Sequence, residues 1–292
     1  MSAEVNYIVV SPVRNEAEHI SLTINSMVAQ TILPTRWIIV NDGSTDATGP
    51  ITEAAARAHS WIKVLNRPDR GFRKAGGGVV DAFYDGYRPV ERESWDYLVK
   101  LDGDLSFERD YFERCFRHFD DDPRLGIAGG TICRAVQDGV EVESRIDPKF
   151  HVRGATKIYR SRCWSDIGGL IHAPGWDTLD EVKANMLGWA TRTFSDINVV
   201  HLRPTGAAYG AWNDMAKGGM ANYIAGYHPL FMFLKCMRRM VEKPYFIGGC
   251  ALLFGFIRGY LKRVPQVDDK ELISYFRRQQ MNRLLFRKSL WG

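Results

Sequence analysis

Short apolar runs alternate with helix-like segments through the first 132 residues, and this alternation constrains the fold more than any other feature of the chain. Residues 7–10, 37–40, 61–65, 97–101 and 125–132 read as strands, while 16–30, 46–59, 75–87 and 110–119 between them carry helical spacing. Strand–helix alternation implies a parallel sheet with right-handed crossovers. Ser44, Thr45 or Asp46 is placed to cap the second helix, and Pro89 to end the third. In such a sheet the carboxyl ends of the strands open on the crevice where ligands bind.

Three of those strand ends are polar. Ser11-Pro12-Val13-Arg14-Asn15-Glu16 follows the first strand, Asn41-Asp42-Gly43-Ser44-Thr45-Asp46 the second, and Asp102-Gly103-Asp104 the fourth. Alone, each is a common turn sequence. Together, on one edge of one sheet, they make a site. Asp42 is placed to accept hydrogen bonds from a ribose or a base. Two carboxylates separated by a glycine can bend around one hard cation, which suits a diphosphate held through Mg²⁺ or Mn²⁺.

Beyond about residue 140 the pattern changes. Residues 139–150 read as a loop, 152–159 and 193–201 as strands, and 181–187 as a short helix stopped by Gly188. The glycine-rich stretch 206–228 reads as a mobile loop over a site. Residues 244–257 carry no charge. A membrane span needs ~20 apolar residues, so this stretch suits an interfacial or re-entrant segment, or else an ordinary buried helix. Arg238, Arg239, Lys243, Arg258, Lys262 and Arg263 flank it, as expected of a helix in the headgroup layer of an anionic leaflet.

Bulk properties agree with a globular chain of 292 residues, 45% hydrophobic and 25% charged. Its net charge of +5 is unevenly spread: from Lys235 onward 13 Lys and Arg face 4 Asp and Glu, leaving 26 against 30 before it. A basic tail on a mildly acidic body points to an anionic surface. The uncharged stretch favours lipid over nucleic acid, and no nucleic-acid partner is expected. Five scattered cysteines without a C-x-x-C pair argue against a zinc site or disulfide framework. The absence of a basic n-region and a cleavage site argues against a signal peptide. No G-x-G-x-x-G or Walker sequence occurs, which argues against dinucleotide enzymes and P-loop ATPases.

These residues resemble the family-2 glycosyltransferases of bacterial polysaccharide and cell-surface glycan synthesis. V-S-P-V-R-N-E resembles that family's first strand and P-x-x-N-E turn. Residues 40–46 resemble its D-D-G-S-x-D motif, with Asn41 replacing the first acid, and Leu101-Asp102-Gly103-Asp104 resembles its D-x-D motif. The resemblance spans about residues 5–205. It implies an α/β GT-A fold, with a Rossmann-like, mostly parallel central sheet and helices on both faces. A C-terminal helical, membrane-associating extension follows. The expected division is a catalytic domain over 1–205, a flexible active-site loop over 206–234 and a basic, apolar helical extension over 235–292.

The implied activity is inverting transfer of a sugar from a nucleoside-diphosphate-sugar to a hydroxyl of a glycan acceptor, lipid-linked, with Mg²⁺ or Mn²⁺. The implied location is cytoplasmic, peripheral at the inner face of the cell membrane. Pro12, Arg14, Glu16, Asp42, Lys74 and Asp102 are implied in nucleotide-sugar binding. Asp104 and Asp102 are implied in metal binding, and His201 as a further metal or phosphate ligand or else a structural histidine. The segment 70–78, with Lys74, is implied to line the diphosphate pocket, and His151 and Arg153 to precede a strand facing the acceptor. The family's base lies in an acidic motif opening a helix that ends in Gly-Trp. Here Gly188-Trp189 places it at Asp177, with Asp180 and Glu181 as alternates. Trp176 stands where the family has an acid. A base near a helix N-terminus feels the dipole and can take the acceptor's proton. Two other readings fit the same motifs: a polyprenyl-phosphate glycosyl synthase, and an inactive protein that binds nucleotide-sugar or glycan.

Overall fold

The computed structural model describes residues 5–69, 71, 77–137, 139–144, 147–203, 211–242 and 245–291. The chain divides into two compact units, one of residues 1–169 and 187–203, the other of residues 170–186 and 204–292. This differs from the division expected at residue 205: the segment 170–186 belongs with the C-terminal helices, not with the sheet.

The first unit is built on strands β1 (Tyr7–Val13), β2 (Arg36–Asp42), β3 (Ile62–Arg67), β4 (Tyr97–Leu101), β5 (Leu105–Phe107), β6 (Leu125–Val136), β7 (Gly139–Val142), β8 (Thr156–Arg160) and β9 (Ala190–His201). Their order is β3-β2-β1-β4-β8-β6-β9-β5, with β7 paired to β6. The four strands β3, β2, β1 and β4 are parallel, as the alternation predicts. The far half is not: β8 runs antiparallel between β4 and β6, and β5 antiparallel beside β9. The sheet is therefore mixed rather than mostly parallel. The predicted loop 139–150 opens with β7, which folds back on β6 as a hairpin.

Helices α1 (Ile20–Val28), α2 (Thr48–Ala58), α3 (Gly77–Tyr87), α4 (Tyr111–Asp121) and α5 (Ser161–Ile167) cover the sheet. Alternate side chains go to opposite faces of a strand. Tyr7, Val9, Trp37, Ile39, Tyr97 and Val99 join Ile24, Phe112 and Phe116 in one core. Val10, Ile38 and Val40 meet α3, which approaches so closely that a Cβ on Gly86 would lie 2.5 Å from Val40 Cγ2. The chain steps outward from β1 to β2 to β3, then crosses back to β4 on the other side of β1. That reversal makes the gap between β1 and β4 the topological switch point, where open α/β sheets bind ligands.

The second unit is helical: α6 (Trp176–Met186), α7 (Ala211–Ile224), α8 (Pro229–Met240), α9 (Ile247–Leu261) and α10 (Lys270–Leu284). Its core joins Leu179, Val182, Tyr223, Met232, Cys236, Leu252, Phe256 and Phe276. The predicted loop at 206–228 is corrected over most of its described part, because residues 211–224 are α7. The glycines there serve packing: a Cβ on Gly219 would lie 1.9 Å from the Leu252 carbonyl oxygen, and one on Gly255 1.9 Å from that of Ala216. Two helices crossing backbone to backbone tolerate nothing larger. Most of the uncharged stretch 244–257 lies in α9, whose Gly248, Gly249, Ala251, Leu252, Gly255 and Phe256 are buried. Among the described residues no helix is long and apolar enough to cross a membrane.

Candidate functional site

Two loops at the carboxyl ends of β1 and β2 are laced together. Asn15, at φ 54°, accepts at Oδ1 from the Thr45 N–H at 2.9 Å, and its own N–H donates to Ser44 Oγ at 3.0 Å. The Glu16 N–H donates to Thr48 Oγ1 at 2.8 Å, and the Ala17 N–H to Asp46 Oδ2 at 3.1 Å. The N-cap of α2 is Ala47, which has no side-chain cap, and not Ser44, Thr45 or Asp46; Asp46, one residue earlier, accepts the Thr48 N–H at Oδ1 at 3.0 Å. Burial acts to raise the Asp46 carboxyl, but these hydrogen bonds from Thr48 and Ala17 prevail and lower it. Arg14 donates to the Asp42 carbonyl at 2.8 Å and pairs with Asp69 at 2.7 Å. Glu16 pairs with Arg203 at 2.7 Å.

Asp42 is buried and held by Arg67 Nη1 at 2.5 Å, while Arg67 Nε reaches Asp85 at 2.9 Å. Asn41, where the resembled motif has an acid, donates from Nδ2 to Asn66 at 2.9 Å and accepts the Ser44 N–H at 3.1 Å. It ties β2 to β3 and shapes the turn, a task an amide can do and a carboxylate cannot, since it needs both a donor and an acceptor. Gly43 turns at φ +68°, and a Cβ there would meet Asp69 Cα at 2.5 Å.

The Asp102-Gly103-Asp104 turn is pinned from behind. Thr23 Oγ1 donates to the Gly103 carbonyl at 2.9 Å and accepts the Leu105 N–H at 3.0 Å. The glycine is required by space, because its Cβ would sit 2.6 Å from Val13 Cγ1. Lys100, buried within β4, pairs with Asp102 and also donates to the Gly154 carbonyl. The two acids are thus unequal: Asp102 is tied to a lysine, and Asp104 turns toward histidine.

Antiparallel pairing of β5 with β9 sets Leu105 opposite His201. That register brings His201 Nε2 to 3.3 Å from Asp104 Oδ2. On its other side Nδ1 lies 3.4 Å from Glu143 Oε2, which also takes Arg153 Nη1 at 2.7 Å. Burial acts to lower the His201 pKa, but the hydrogen bonds and charges of Asp104 and Glu143 prevail and raise it to about 9. Burial likewise acts to raise Asp104, but the His201 hydrogen bond and charge, with Arg203 and Lys100 behind them, lower it.

The donor set suits a cation. A carboxylate oxygen and an imidazole nitrogen 3.3 Å apart have the spacing of neighbouring ligands on one ion. Glu143 on the remote nitrogen is the outer carboxylate that metal-binding histidines commonly carry. Among the described residues no group of three or more His, Cys, Asp and Glu is arranged to hold a metal unaided. A cation held by this pair would need further ligands from outside these side chains.

The structure thus gathers Pro12, Arg14, Glu16, Asp42, Asp102, Asp104 and His201 on one edge of the sheet. Lys74, with Arg70, Arg73 and Gly76, lies outside the described residues. Asp177 occupies the first turn of α6 in the helical unit and is partly exposed, whereas Asp180 and Glu181 are fully buried. His151 sits before β8, its carbonyl accepting from Thr193 Oγ1 at 2.5 Å. Glu143, Arg67, Lys100 and Arg203 were not anticipated. Glu143 fell in a stretch read as loop, and a charged residue within an apolar strand was the one available signal for Lys100.

The family model for glycosyl transferase family 2 matches residues 8–166. A chondroitin synthase of Pasteurella multocida is 28% identical over 128 residues, 44% of this chain and 12% of its own length. A poly-β-1,6-N-acetyl-D-glucosamine synthase of Staphylococcus aureus is 30% identical over 117 residues, 40% of this chain and 26% of its own. The chain thus spans about a quarter or less of these relatives. The solved structure of the mannosyltransferase PcManGT from Pyrobaculum calidifontis, in complex with GDP-Man and Mn²⁺, shares the fold at a TM-score of 0.57 and 16% identity, covering 99% of this chain and 77% of that one. With the family model matched over more than half its length, the chain belongs to glycosyl transferase family 2.

Proposed function

We propose that this protein is an inverting glycosyltransferase that moves one sugar from a nucleoside-diphosphate-sugar to a hydroxyl of a lipid-linked glycan acceptor. It works peripherally at the cytoplasmic face of the membrane, with Mg²⁺ or Mn²⁺. The observation that carries the reading is the Asp104–His201 pair, at 3.3 Å, on the edge of the sheet that also holds Asp42 and Asp102. The GDP-Man and Mn²⁺ bound by the mannosyltransferase of the same fold support a nucleotide-sugar and a divalent cation as ligands.

In this reading Asp42 and the Arg14 loop receive the nucleoside. Asp104 and His201 would hold the cation that binds the diphosphate, and Asp102 would serve the ribose. The cation, when bound, supplies Lewis-acid neutralisation of charge on the departing diphosphate. Asp177 takes the proton of the acceptor hydroxyl as its oxygen bonds to the anomeric carbon and the bond from that carbon to the diphosphate oxygen breaks. Asp177 is preferred over Asp180 and Glu181 because it is partly exposed at the positive end of a helix dipole, while they are fully buried.

Thermal-shift measurement against a panel of nucleotide-sugars with Mn²⁺ tests the reading. One donor raises the melting temperature by mass action, and the rise disappears in Asp104→Ala. A panel with no responding nucleotide-sugar would overturn it.

A further inference from the structure

Helix α8 has two apolar faces. Met232 and Cys236 point into the helical core. Leu230, Phe233, Leu234, Met237 and Val241 lie outward, and Val241 is 72% exposed. Their spacing of three and four residues makes a continuous stripe along one side of the helix. Helix α9 repeats the arrangement. Its buried glycines pack on α7 and α8, while Ile247, Phe254, Ile257 and Leu261 form an outward stripe, with Leu261 79% exposed.

The connection between them adds to the same character. Tyr245 and Phe246 are exposed, and Phe246 stands at φ 60°, a strained conformation for an aromatic residue. Such an array exceeds the scattered apolar residues normal on a soluble surface. Its charges are of one kind. Lys235, Arg238, Arg258, Lys262 and Arg263 are exposed beside the stripes, and the acid between the helices, Glu242, is paired with Arg239 at 3.5 Å. A cavity of about 310 Å³ between α7 and α9 is lined by Lys217, Arg258 and Asn213 together with Met220 and Phe254. Cationic groups thus line a hollow bordering the α9 stripe.

We propose that the α8–α9 face docks on an anionic lipid bilayer. The stripes enter the boundary between headgroups and acyl chains, and the cavity receives a lipid phosphate beside Lys217 and Arg258. An apolar face edged with Lys and Arg has the chemistry of an interfacial membrane anchor. Close small-residue packing of the kind that joins α7 to α9 also serves helices in lipid. The uncharged sequence 244–257 forms only part of the anchor, since Gly248, Gly249, Ala251, Leu252, Gly255 and Phe256 are buried inside the unit. The anchor is the outer surface of two helices. It rests on the lipid-linked acceptor for its biological purpose, but docking is measurable without sugar transfer.

Flotation of the full chain with vesicles of phosphatidylcholine, with and without phosphatidylglycerol, tests the proposal. Wild-type protein is expected to float with the anionic vesicles, less so in high salt. Replacing two half-exposed anchors, Phe233→Ser with Ile257→Ser, lowers partitioning roughly ten-fold or more, because each removes an apolar side chain from the lipid. Arg258→Gln with Lys262→Gln weakens the preference for anionic lipid, leaving Lys235, Arg238 and Arg263 in place. A Phe233→Trp variant, which keeps the apolar character, gains quenching by brominated lipid over wild type. Wild-type protein left at the bottom of the gradient, or a double serine variant that floats as well as wild type, overturns the proposal. So does light scattering that finds a dimer broken by the serine variant without flotation, which would assign the face to a second copy of the chain. Protein that floats yet binds no nucleotide-sugar leaves docking standing and sinks the transferase reading.

Discussion

His201 Nε2 stands 3.3 Å from Asp104 Oδ2, an approach made by the pairing of β9 with the three-residue strand β5. The raised His201 pKa, about 9 against 6.5 for the free side chain, favours the protonated ring in the folded protein without metal. Its stabilising contribution is therefore complete below about pH 6.5 and lost as pH rises through about 9. From the acid side, the lowered carboxyl of Asp104 contributes above its unperturbed value of 3.8 and loses that contribution as pH falls through the lowered one. In EDTA, urea unfolding between pH 6.5 and 9 should show wild type losing stability relative to His201→Gln. The difference is at most on the order of 3 kcal/mol. Parallel curves for the two proteins would count against a charged His201.

Gly103→Ala places a methyl group 2.6 Å from Val13 Cγ1 and 3.1 Å from Ile20 Cδ1. The turn carrying both acids then shifts or its neighbours repack, at a cost of about 1–3 kcal/mol. If the turn holds a cation as proposed, the same shift should weaken Mn²⁺ binding, read by calorimetry, beyond what wild type loses at an equal fall in melting temperature. Val13→Ala in the same chain should restore part of both.

Arg67 holds two acids, Asp42 and Asp85. Removing one partner of such a part-buried, charge-assisted hydrogen bond costs about 1.5–3 kcal/mol. Arg67→Ala should thus lower stability markedly and weaken nucleotide binding, since Asp42 loses its fixed orientation. Arg67→Lys restores charge without the fork, and is expected to recover stability better than nucleotide affinity.

With Asp177 as the base, Asp177→Asn lowers kcat by about 10²–10⁴-fold, leaving donor affinity unchanged in a thermal-shift titration. A wild-type rate from that variant points instead to an acceptor already ionised, such as a polyprenyl phosphate.

Gly219→Ala and Gly255→Ala each thrust a methyl group to within 1.9 Å of a carbonyl oxygen on the facing helix. Backbone cannot yield as a side chain tip can, so each change is expected to lower the melting temperature by several degrees or more. Gly218→Ala, whose added Cβ would meet Leu252 Cδ1 at 3.6 Å, should be tolerated.

The first half of the sheet was legible because its strands carry their information locally. Each is a short apolar run with a polar loop at its end, so β1, β2, β3 and β4 and the acids after them follow from pattern. The second half depends on pairing between distant segments. Nothing in Leu105-Ser106-Phe107 says that it will meet residues 199–201, so the partnership of Asp104 with His201 was open to two readings. Glu143 lay in a segment too polar to read as strand, yet it closes the far side of the imidazole. The glycines of α7 misled for a physical reason: glycine marks loops by flexibility and helix crossings by smallness, and a single sequence does not separate the two.

The short strand β5 has a consequence for the order in which the protein matures. The segment matched by the family model ends at residue 166, before β9 begins at Ala190. A nascent chain of that length carries Asp42, Asp102 and Asp104 but lacks the partner that closes the far end of the sheet. The histidine reaches its acid when β9 lays itself between β6 and β5, the most sequence-distant join in this half of the sheet. Synthesis therefore delivers the three acids before the strand whose pairing brings His201 to Asp104.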